Sequence, residues 1–393
     1  MKSTLERATL LSLSLMLVST FAISPALPQM ISHFEKNGYT ASQIERLIPL
    51  SSFAIMGILL LSPFINRLLK ERGIIVIGLL LLSVGGSLPV VFQSYPMLLV
   101  SRILLGSGIG MLNARAINII SERFTGKDRS RMLGLRGSME VLGSAVLTFL
   151  AGQFLAVSWS ASFAIYAFGL LILVMYLAFV PEAPREDHEQ TQAKASRLSY
   201  QQLLYIVGTA CYAGFIILVN SSVTIRIPQV VESLALGTAS QSSILLSAMM
   251  IMGILAGGLY SPLMDFLGKF FQVGVSLIFG LGCLILWQAD NWLFLVIGAL
   301  MSGFFYSLAV TYAFHTISEK MPAHLVATAT TLVLLGCNLG GGSTALALQV
   351  LSALTKSTTG VFGLYALLIL SMSVCLLGAL LFSKRKIDPK SII

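Results

Sequence analysis

A short phrase occurs twice in this chain, about half of the chain length apart. The first copy is Ser62-Pro63-Phe64-Ile65-Asn66, and the second is Ser261-Pro262-Leu263-Met264-Asp265, which starts 199 residues later (261 − 62) in a chain of 393. Each copy ends a long apolar run, and basic residues follow it at once. A membrane chain whose two halves repeat each other is typical of secondary transporters, in which the substrate site lies between the halves.

The composition excludes a soluble domain. Hydrophobic residues make up 56% of the chain and charged residues 10%, and the mean hydropathy is +0.88. So little polarity cannot cover a globular surface, so lipid must be the solvent for most of the chain. Apolar stretches of about 20 residues, long enough to cross a bilayer, recur roughly twelve times. These features predict an all-α membrane protein with twelve transmembrane helices in two pseudo-symmetric six-helix bundles.

The pattern also predicts where the helices and domains lie. The first six spans are predicted at residues 8–29, 44–65, 74–92, 96–120, 132–154 and 160–180. The last six are predicted at residues 202–224, 240–263, 271–289, 292–317, 326–351 and 359–382. Residues 1–180 then form the N-terminal bundle, residues 181–201 a cytoplasmic linker and residues 202–393 the C-terminal bundle.

The basic residues predict the orientation. With the amino terminus in the cytoplasm, 18 of the 25 basic residues lie in cytoplasmic loops and tails, and only 4 lie on the opposite side. The positive-inside rule then places both termini in the cytoplasm of a multi-pass protein of the cytoplasmic (inner) membrane. The same rule accounts for the net charge of +9 without a nucleic-acid partner.

Two residue patterns resemble the major facilitator superfamily. In that family the loop after the second helix carries a Gly-x-Leu-Ala-Asp-Arg-x-Gly-Arg-Lys motif, with a weaker copy after the eighth helix. The repeated phrase resembles this motif, although Asn66 stands at the Asp position and Leu69 at that of the second Gly. Arg102-Ile103-Leu104-Leu105-Gly106-Ser107-Gly108-Ile109-Gly110 is similar to the family's Arg-x-x-x-Gly-x-Gly-x-Gly pattern in the fourth helix.

The resemblance implies a conformational lock at the cytoplasmic ends of the helices. Carboxylates and arginines of the motif would bond across helix ends and stabilise one conformation of the bundle. The candidates for this lock are Asn66, Arg67, Arg72, Glu122, Asp265 and Lys269. A plain positive-inside turn is the alternative interpretation of both copies.

The pattern is closest to bacterial twelve-helix drug:proton antiporters, with one departure. The fifth helix of those antiporters carries a Gly-Pro-x-x-Gly-Gly motif, whereas this chain has Gly143-Ser144-Ala145 and then Gly152 without a proline. The departure weakens the antiporter assignment without affecting the fold.

Charged residues deep in the predicted spans are the candidates for mechanism. They are Arg102, Arg115, Arg136 and Glu140. Glu140 lies four residues after Arg136, so the two share a helix face and can pair. An intramembrane carboxylate can load and release a proton, which makes Glu140 the candidate proton-coupling residue, assisted by Arg136 and Arg115. A static ion pair that only orders helices four and five is the alternative.

Helical geometry separates the two arginines of the fourth helix. Arg102 and Asn113 are 11 positions apart and so fall within roughly 20° of each other, whereas Arg115 is turned more than 100° away. We therefore expect Arg102 and Asn113 to line one cavity and Arg115 to face Glu140. Other candidates for the cavity are Gln29, Tyr212, Asn220, Tyr306 and Asn338. Three arginines against one glutamate favour an anionic, zwitterionic or neutral solute.

These observations favour a secondary active transporter that works by alternating access. Family likeness makes proton-coupled export of an amphiphilic compound the first expectation, and the arginines make uptake or exchange of an organic anion or metabolite the second. A membrane-embedded enzyme or a receptor is the alternative of another class, but no nucleophile with its base and no metal pair converges in the sequence. The expected partners are a small molecule, protons and the bilayer. The chain is expected to be a monomer without cofactor or metal, driven by a proton gradient.

Overall fold

Helices make up all regular structure in the described part of the chain. The computed structural model describes residues 4–124, 126–181, 199–355 and 357–385. The α-helices in these ranges are α1 (Thr4–Ser12), α2 (Leu27–Glu35), α3 (Ala41–Glu45), α4 (Leu47–Leu68), α5 (Glu71–Leu80), α6 (Tyr95–Arg123), α7 (Gly126–Phe154), α8 (Phe168–Phe179), α9 (Tyr200–Ser233), α10 (Ala239–Leu267), α11 (Phe271–Trp287), α12 (Trp292–Lys320), α13 (Ala323–Leu354) and α14 (Gly360–Arg385). Most of the predicted linker, residues 182–198, lies outside the described residues.

The helices have the length and apolarity that a bilayer requires. Nine helical stretches of described residues could cross a membrane, or ten when the bent stretch at the amino terminus is taken as one span. One of the nine, Ala239–Trp287, contains both α10 and α11. Helix α7 has 29 residues but is less apolar, because it carries Arg136 and Glu140. The all-helical membrane fold is therefore confirmed, and the number twelve stays a prediction that depends on α7 and on the division of Ala239–Trp287.

The first span is broken, although the sequence predicts one helix over residues 8–29. Short 3-10 segments at Leu13–Met16, Ser19–Phe21 and Ser24–Ala26 separate α1 from α2, and the stretches Thr4–Met16 and Ser19–Glu35 meet at 49°. Pro25 lacks the N–H that a continuous helix needs. The hydroxyls of Ser19 and Ser24 instead donate to the carbonyl oxygens of Met16 and Phe21, each at 2.7 Å. Proline thus interrupts the helical hydrogen bonds, and serine hydroxyls donate to nearby carbonyl oxygens at the break.

Several helices begin with a side-chain cap. The Thr238 hydroxyl accepts a hydrogen bond from the backbone N–H of Gln241 at 3.2 Å, and the Gln241 side chain accepts from the backbone N–H of Thr238 at 2.8 Å. Asn291 caps α12 through the N–H of Phe294 at 3.1 Å. Such caps satisfy N–H groups that have no partner within the helix, and they fix where α10 and α12 begin.

The helices cross between two faces of the molecule. We call the face where α1 begins and α14 ends the terminal face, and the opposite one the far face. Within the first half α6 packs on α4 and α5, and within the second half α11 packs on α12 and α14. Two pairs join the halves, α4 with α13 and α7 with α10, and α9 contacts the broken first span. The interface between the halves therefore includes the broken span and the helices α4, α7, α9, α10 and α13.

One glycine permits the close approach of α7 to the broken span. A Cβ atom at Gly143 would overlap the carbonyl oxygen of Leu15 and lie 2.5 Å from the Leu15 Cα atom. Backbone atoms cannot move aside as a flexible side chain can, so this position accepts no side chain without displacement of the span. Gly137, two turns earlier on the same helix, has no atom within 4 Å of such a Cβ.

Gly143→Ala is expected to destabilise the fold by about 1–3 kcal/mol, the usual cost of overpacking. Gly137→Ala is the matched control and should change stability by no more than about 1 kcal/mol, toward greater stability, because alanine favours a helix. The midpoint of heat-induced unfolding in detergent measures both. Equal midpoints for the two variants would show that α7 does not depend on its contact with Leu15.

Candidate functional site

The break in the first span is stabilised by side chains from two other helical segments. The Ser144 hydroxyl on α7 donates to the carbonyl oxygen of Val18 at 3.1 Å. The Tyr166 hydroxyl, from the 3-10 segment Ala161–Ala167 that precedes α8, donates to the carbonyl oxygen of Ser19 at 3.0 Å. Backbone groups that leave the helical pattern at membrane depth need such partners. Interrupted helices with carbonyls of this kind are typical of solute and ion sites in transporters.

Ser144 also joins the two halves of the molecule. Its hydroxyl lies 3.2 Å from the Met250 sulfur on α10. One position further along α7, the carbonyl oxygen of Ala145 accepts a hydrogen bond from the Ser247 hydroxyl at 2.9 Å. The first span, α7 and α10 therefore meet at Ser144, and these three elements build the candidate site.

An ion pair lies one helical turn from Ser144. The guanidinium of Arg136 is 2.6 Å from the carboxylate of Glu140, and their side chains are 13% and 22% exposed. Glu140 is the central residue of α7, 14 residues from each end of Gly126–Phe154, which is about 21 Å from each end at 1.5 Å per residue. The pairing predicted from the i,i+4 spacing is thus present, at the middle of α7. Its role in proton coupling stays a prediction.

The sequence predicts that Arg115 faces Glu140. In the structure Arg115 pairs with Glu71 instead. Its guanidinium is 2.6 Å from the Glu71 carboxylate at the start of α5. Arg123 joins the same carboxylate at 3.3 Å and reaches Glu6 of α1 at 3.2 Å. The sequence analysis did not single out Glu6 or Glu71. Their position at helix starts on the terminal face was the signal that could have identified them.

The prediction that Arg102 lines a cavity together with Asn113 is wrong. The Arg102 side chain is 0% exposed, and its guanidinium donates to the Tyr166 hydroxyl at 3.3 Å. It also lies over the ring of Phe163, with 4.8 Å between its Cζ atom and the ring centroid. Asn113 is half-buried. A shared helix face does not bring the two residues together, because aromatic side chains of another segment cover Arg102 in the core of the first half.

The other cavity candidates differ in exposure and in hydrogen bonding. Tyr212 is buried and shares a hydrogen bond of 2.9 Å with the Ser276 hydroxyl, and Asn338 donates to the Leu334 carbonyl oxygen of its own helix at 2.9 Å. Tyr306 is half-buried and Gln29 is exposed. The side-chain oxygen of Asn220, on α9, is buried and has no hydrogen-bond partner among the described residues. Asn220 is therefore available to accept a hydrogen bond from a solute, whereas Tyr212 has a packing role.

The lock candidates lie on the terminal face. Arg67, Asp265 and Lys269 are exposed, Asn66 and Arg72 are half-buried, and the Glu122 side chain lies outside the described residues. Asp265 lines a cleft of about 580 Å³ between α10 and α12, together with His315 and Glu319. Among the described residues no group of three or more His, Cys, Asp or Glu side chains could hold a metal ion. The locking role stays a prediction.

A polar network closes the interface at the far face. We call it the far-face latch, and it consists of Glu45, Arg46, Arg226, Gln229, Gln349 and Ser352. Arg226 of α9 is 3.2 Å from the Glu45 carboxylate and donates to the Ser352 hydroxyl of α13 at 2.6 Å. Gln229 donates to Glu45 at 2.9 Å, and Arg46 donates to Gln349. The Glu45 and Arg226 side chains are 6% and 13% exposed.

The far-face latch and the terminal-face pairs differ in what they connect. The latch joins α3 of the first half to α9 and α13 of the second. The Arg115–Glu71, Arg123–Glu6 and Arg7–Asp128 pairs described at the terminal face all stay within the first half. Buried pairs of opposite charge resist separation, so the latch keeps the halves together at the far face.

Comparison with known proteins agrees with this architecture. Over 98 residues the chain is 34% identical to a hexuronate transporter of Bacillus subtilis (strain 168), which covers 24% of the chain and 23% of that relative. Over 249 residues it is 26% identical to the cyanate transport protein CynX of Escherichia coli (strain K12), 62% of each chain. The matches thus span less than two thirds of either relative.

A solved structure shows the same fold over nearly the whole chain. The crystal structure of a peptide transporter POT superposes with a TM-score of 0.76 at 13% identity and covers 95% of this chain and 93% of that one. The Major Facilitator Superfamily profile matches residues 9–345. With its broken first span, its paired helices between the halves and this match, the chain belongs to the Major Facilitator Superfamily, whose members are membrane transporters of small solutes and not enzymes.

Proposed function

We propose that this protein couples the movement of a small organic anion to that of a proton, by alternating access across the cytoplasmic membrane. The observation that supports the proposal is the Arg136–Glu140 ion pair, 2.6 Å apart at the centre of α7. The pair lies one turn from Ser144, where the broken span and both halves meet. Ionisable residues at this depth are costly and usually serve transport.

The pair can exchange one partner for another. While Glu140 is ionised, it neutralises Arg136. A proton on Glu140 removes that partner, and the Arg136 guanidinium can then bind the carboxylate of a solute through two parallel hydrogen bonds. Release of the proton restores the ion pair and expels the anion. Proton and anion therefore favour each other's binding, and this coupling is reciprocal by thermodynamic necessity.

The solute class rests on two further observations. The hexuronate and cyanate named for the two relatives are both anions. The unpartnered side-chain oxygen of Asn220 adds an acceptor for a hydroxyl or amide of the solute. Arg115 and Arg102 do not contribute to the preference for an anion, because Glu71 neutralises Arg115 and Arg102 lies in the core.

Proton-coupled export of an amphiphilic compound is the second candidate. The Met250 thioether contacts Ser144 and Thr148 of α7, and methionines give an adaptable apolar surface that suits varied amphiphiles. In this version Glu140 exchanges its proton for the compound, so that proton and solute move in opposite directions. The direction of proton movement therefore separates the two candidates.

The orientation and conformation of the protein complete the proposal. The terminal face is the cytoplasmic one in this proposal, which the excess of basic residues on that face supports, and the latch then closes the outer side. Opening to the outside must break the Glu45–Arg226 pair while the terminal side closes. The transporter works as a monomer, because one chain supplies both halves.

Glu140→Gln is expected to abolish proton-driven uptake of D-glucuronate into proteoliposomes. Glutamine still bonds Arg136 but carries no exchangeable charge, so the gradient should lose its effect by at least about tenfold, within the usual range of coupling between sites. Uptake in the wild type should rise with an inward proton gradient and consume external protons.

The control is Glu319→Gln. Glu319 forms an i,i+4 pair with His315, and the Glu319 side chain is 60% exposed. Transport by this variant should match the wild type. If Glu140→Gln and Glu319→Gln behave alike, Glu140 is a static partner of Arg136. If tetraphenylphosphonium leaves as protons enter and D-glucuronate does not move, the export candidate is correct. Cyanate and myo-inositol complete the panel as a smaller anion and a neutral solute.

Glu45→Gln is expected to open the far face. Loss of one partner of a buried ion pair costs about 3–5 kcal/mol, which is enough to shift a two-state equilibrium toward the outward-open state. Spin labels at Asn37 and Leu354, exposed residues of the two halves on the far face, should move apart in double electron–electron resonance measurements. The four native cysteines are replaced by alanine for this purpose.

Glu35→Gln is the matched control, because Glu35 is an exposed carboxylate at the end of α2 on the same face. Its distance distribution should equal that of the parent. An unchanged distribution for Glu45→Gln would mean that the apolar contacts of α4 with α13 close the far face without help from the latch.

A further inference from the structure

We infer that Arg102 and Tyr166 are positioning residues that hold the break of the first span in the geometry that transport requires. The inference rests on the proposed function in one respect only, namely that the broken span lines the solute pathway. Neither residue reaches that pathway itself, because both side chains are fully buried in the first half.

The contacts form a chain that leads from a buried charge to the break. Arg102 Nη1 donates to the Tyr166 hydroxyl at 3.3 Å, and that hydroxyl donates to the Ser19 carbonyl oxygen at 3.0 Å. A hydroxyl that accepts from a cation becomes a stronger donor, because bonds in such a chain polarise one another in a low dielectric. Ser19 follows Val18, whose carbonyl oxygen is held by Ser144 of α7. Two adjacent carbonyls of the break are thus fixed by side chains of two different helical segments.

Burial of the Arg102 charge costs free energy that its contacts offset only in part. Its Nε and Nη2 atoms are buried and have no hydrogen-bond partner among the described residues. The rings of Phe163 and Tyr166, at 4.8 and 5.2 Å from its Cζ atom, supply only cation–π contacts. A buried charge without a carboxylate partner is often replaced by an apolar residue with no loss of stability. The charge is therefore better explained by what it does to the Tyr166 hydroxyl than by stability.

The second half provides an internal comparison. Phe163-Ala164-Ile165-Tyr166 corresponds to Phe362-Gly363-Leu364-Tyr365, 199 residues later (365 − 166), at the spacing of the repeated phrase. The Tyr365 hydroxyl is also buried and shares a 2.7 Å hydrogen bond, but with the side chain of Ser222 on α9.

The two tyrosines differ in what surrounds them. Helix α9 is unbroken over Tyr200–Ser233, and α12, which corresponds to α6, contains no arginine. Arg102 and the hydrogen bond from Tyr166 to the Ser19 carbonyl thus occur together in the first half, whose first span is broken. The unbroken half retains the tyrosine alone.

The test compares Tyr166→Phe with Tyr365→Phe. Each removes one buried hydroxyl, so the midpoints of heat-induced unfolding should fall to a similar extent. Only Tyr166→Phe should alter the break, which is monitored through Val18→Cys in a background without native cysteines. The Val18 side chain is 48% exposed, and its rate of alkylation by a membrane-impermeant maleimide should change at least about fivefold in Tyr166→Phe and less than twofold in Tyr365→Phe. The factor of five corresponds to about 1 kcal/mol of altered local equilibrium.

Arg102→Met is the second variant, because methionine keeps the length of the side chain and removes its charge. It should unfold at the wild-type temperature or above, yet change the Val18→Cys alkylation rate as Tyr166→Phe does. Stability that is retained while the break changes is the signature of a positioning role. If Arg102→Met lowers the unfolding temperature and leaves the alkylation rate unchanged, the pair is structural and the inference is wrong.

The maleimide measurement requires no solute, so it gives an answer even if D-glucuronate is not transported. A D-glucuronate uptake assay on the same variants then tests the link to function. Tyr166→Phe should lower the maximal rate at least about fivefold relative to Tyr365→Phe. An altered alkylation rate with unaffected uptake would show that Arg102 and Tyr166 do not influence the pathway, and it would overturn the inference. The proposal for Glu140 is tested separately by Glu140→Gln.

Discussion

The need to satisfy every backbone hydrogen bond within lipid governs this structure. Most of the chain meets it with unbroken helices, and α9 and α13 are more than 30 residues long. The first span does not. Its Val18 carbonyl accepts from Ser144, and its Ser19 carbonyl accepts from Tyr166 in addition to the backbone N–H of Ala22. Because these partners come from α7 and from the segment before α8, the break links the core of the first half to the interface. Any movement of α7 must therefore also move the first span.

The charges inside the membrane follow from the same constraint. An unpaired charge at this depth is costly, so each has a partner of a different kind. Arg136 has Glu140, one turn away on its own helix, and Arg115 has Glu71 on a neighbouring helix. Arg102 has only aromatic rings and a hydroxyl. In the proposed mechanism a proton opens the first arrangement. The second arrangement stabilises the terminal face, and the third is the one inferred to strengthen the hydrogen bond that fixes the break.

The sequence predicted what depends on local pattern and missed what depends on packing between helices. Hydropathy and length are local, so α4 and α12 lie where spans were expected. The Arg136–Glu140 pair was predictable because both residues lie on one helix. The partner of Arg115 was not, since Glu71 is 44 residues away and its position depends on how α5 packs on α6. The surroundings of Arg102 were missed for the same reason, although the Phe-x-x-Tyr repeat at 163–166 and 362–365 offered a signal.

The two halves differ in their intramembrane charges and in the continuity of their first helix, which suggests different roles in transport. At the 199-residue spacing, the position of Arg102 corresponds to Met301 in the second half. The positions of Arg136 and Glu140 correspond to Leu335 and Leu339. The second half therefore carries apolar residues where the first carries its intramembrane charges, and its first helix, α9, is unbroken. In the proposed mechanism a proton on Glu140 acts on α7, which packs against α10 and the broken span. The second half can then respond as a rigid body, so chemistry in one half becomes a change of access across both.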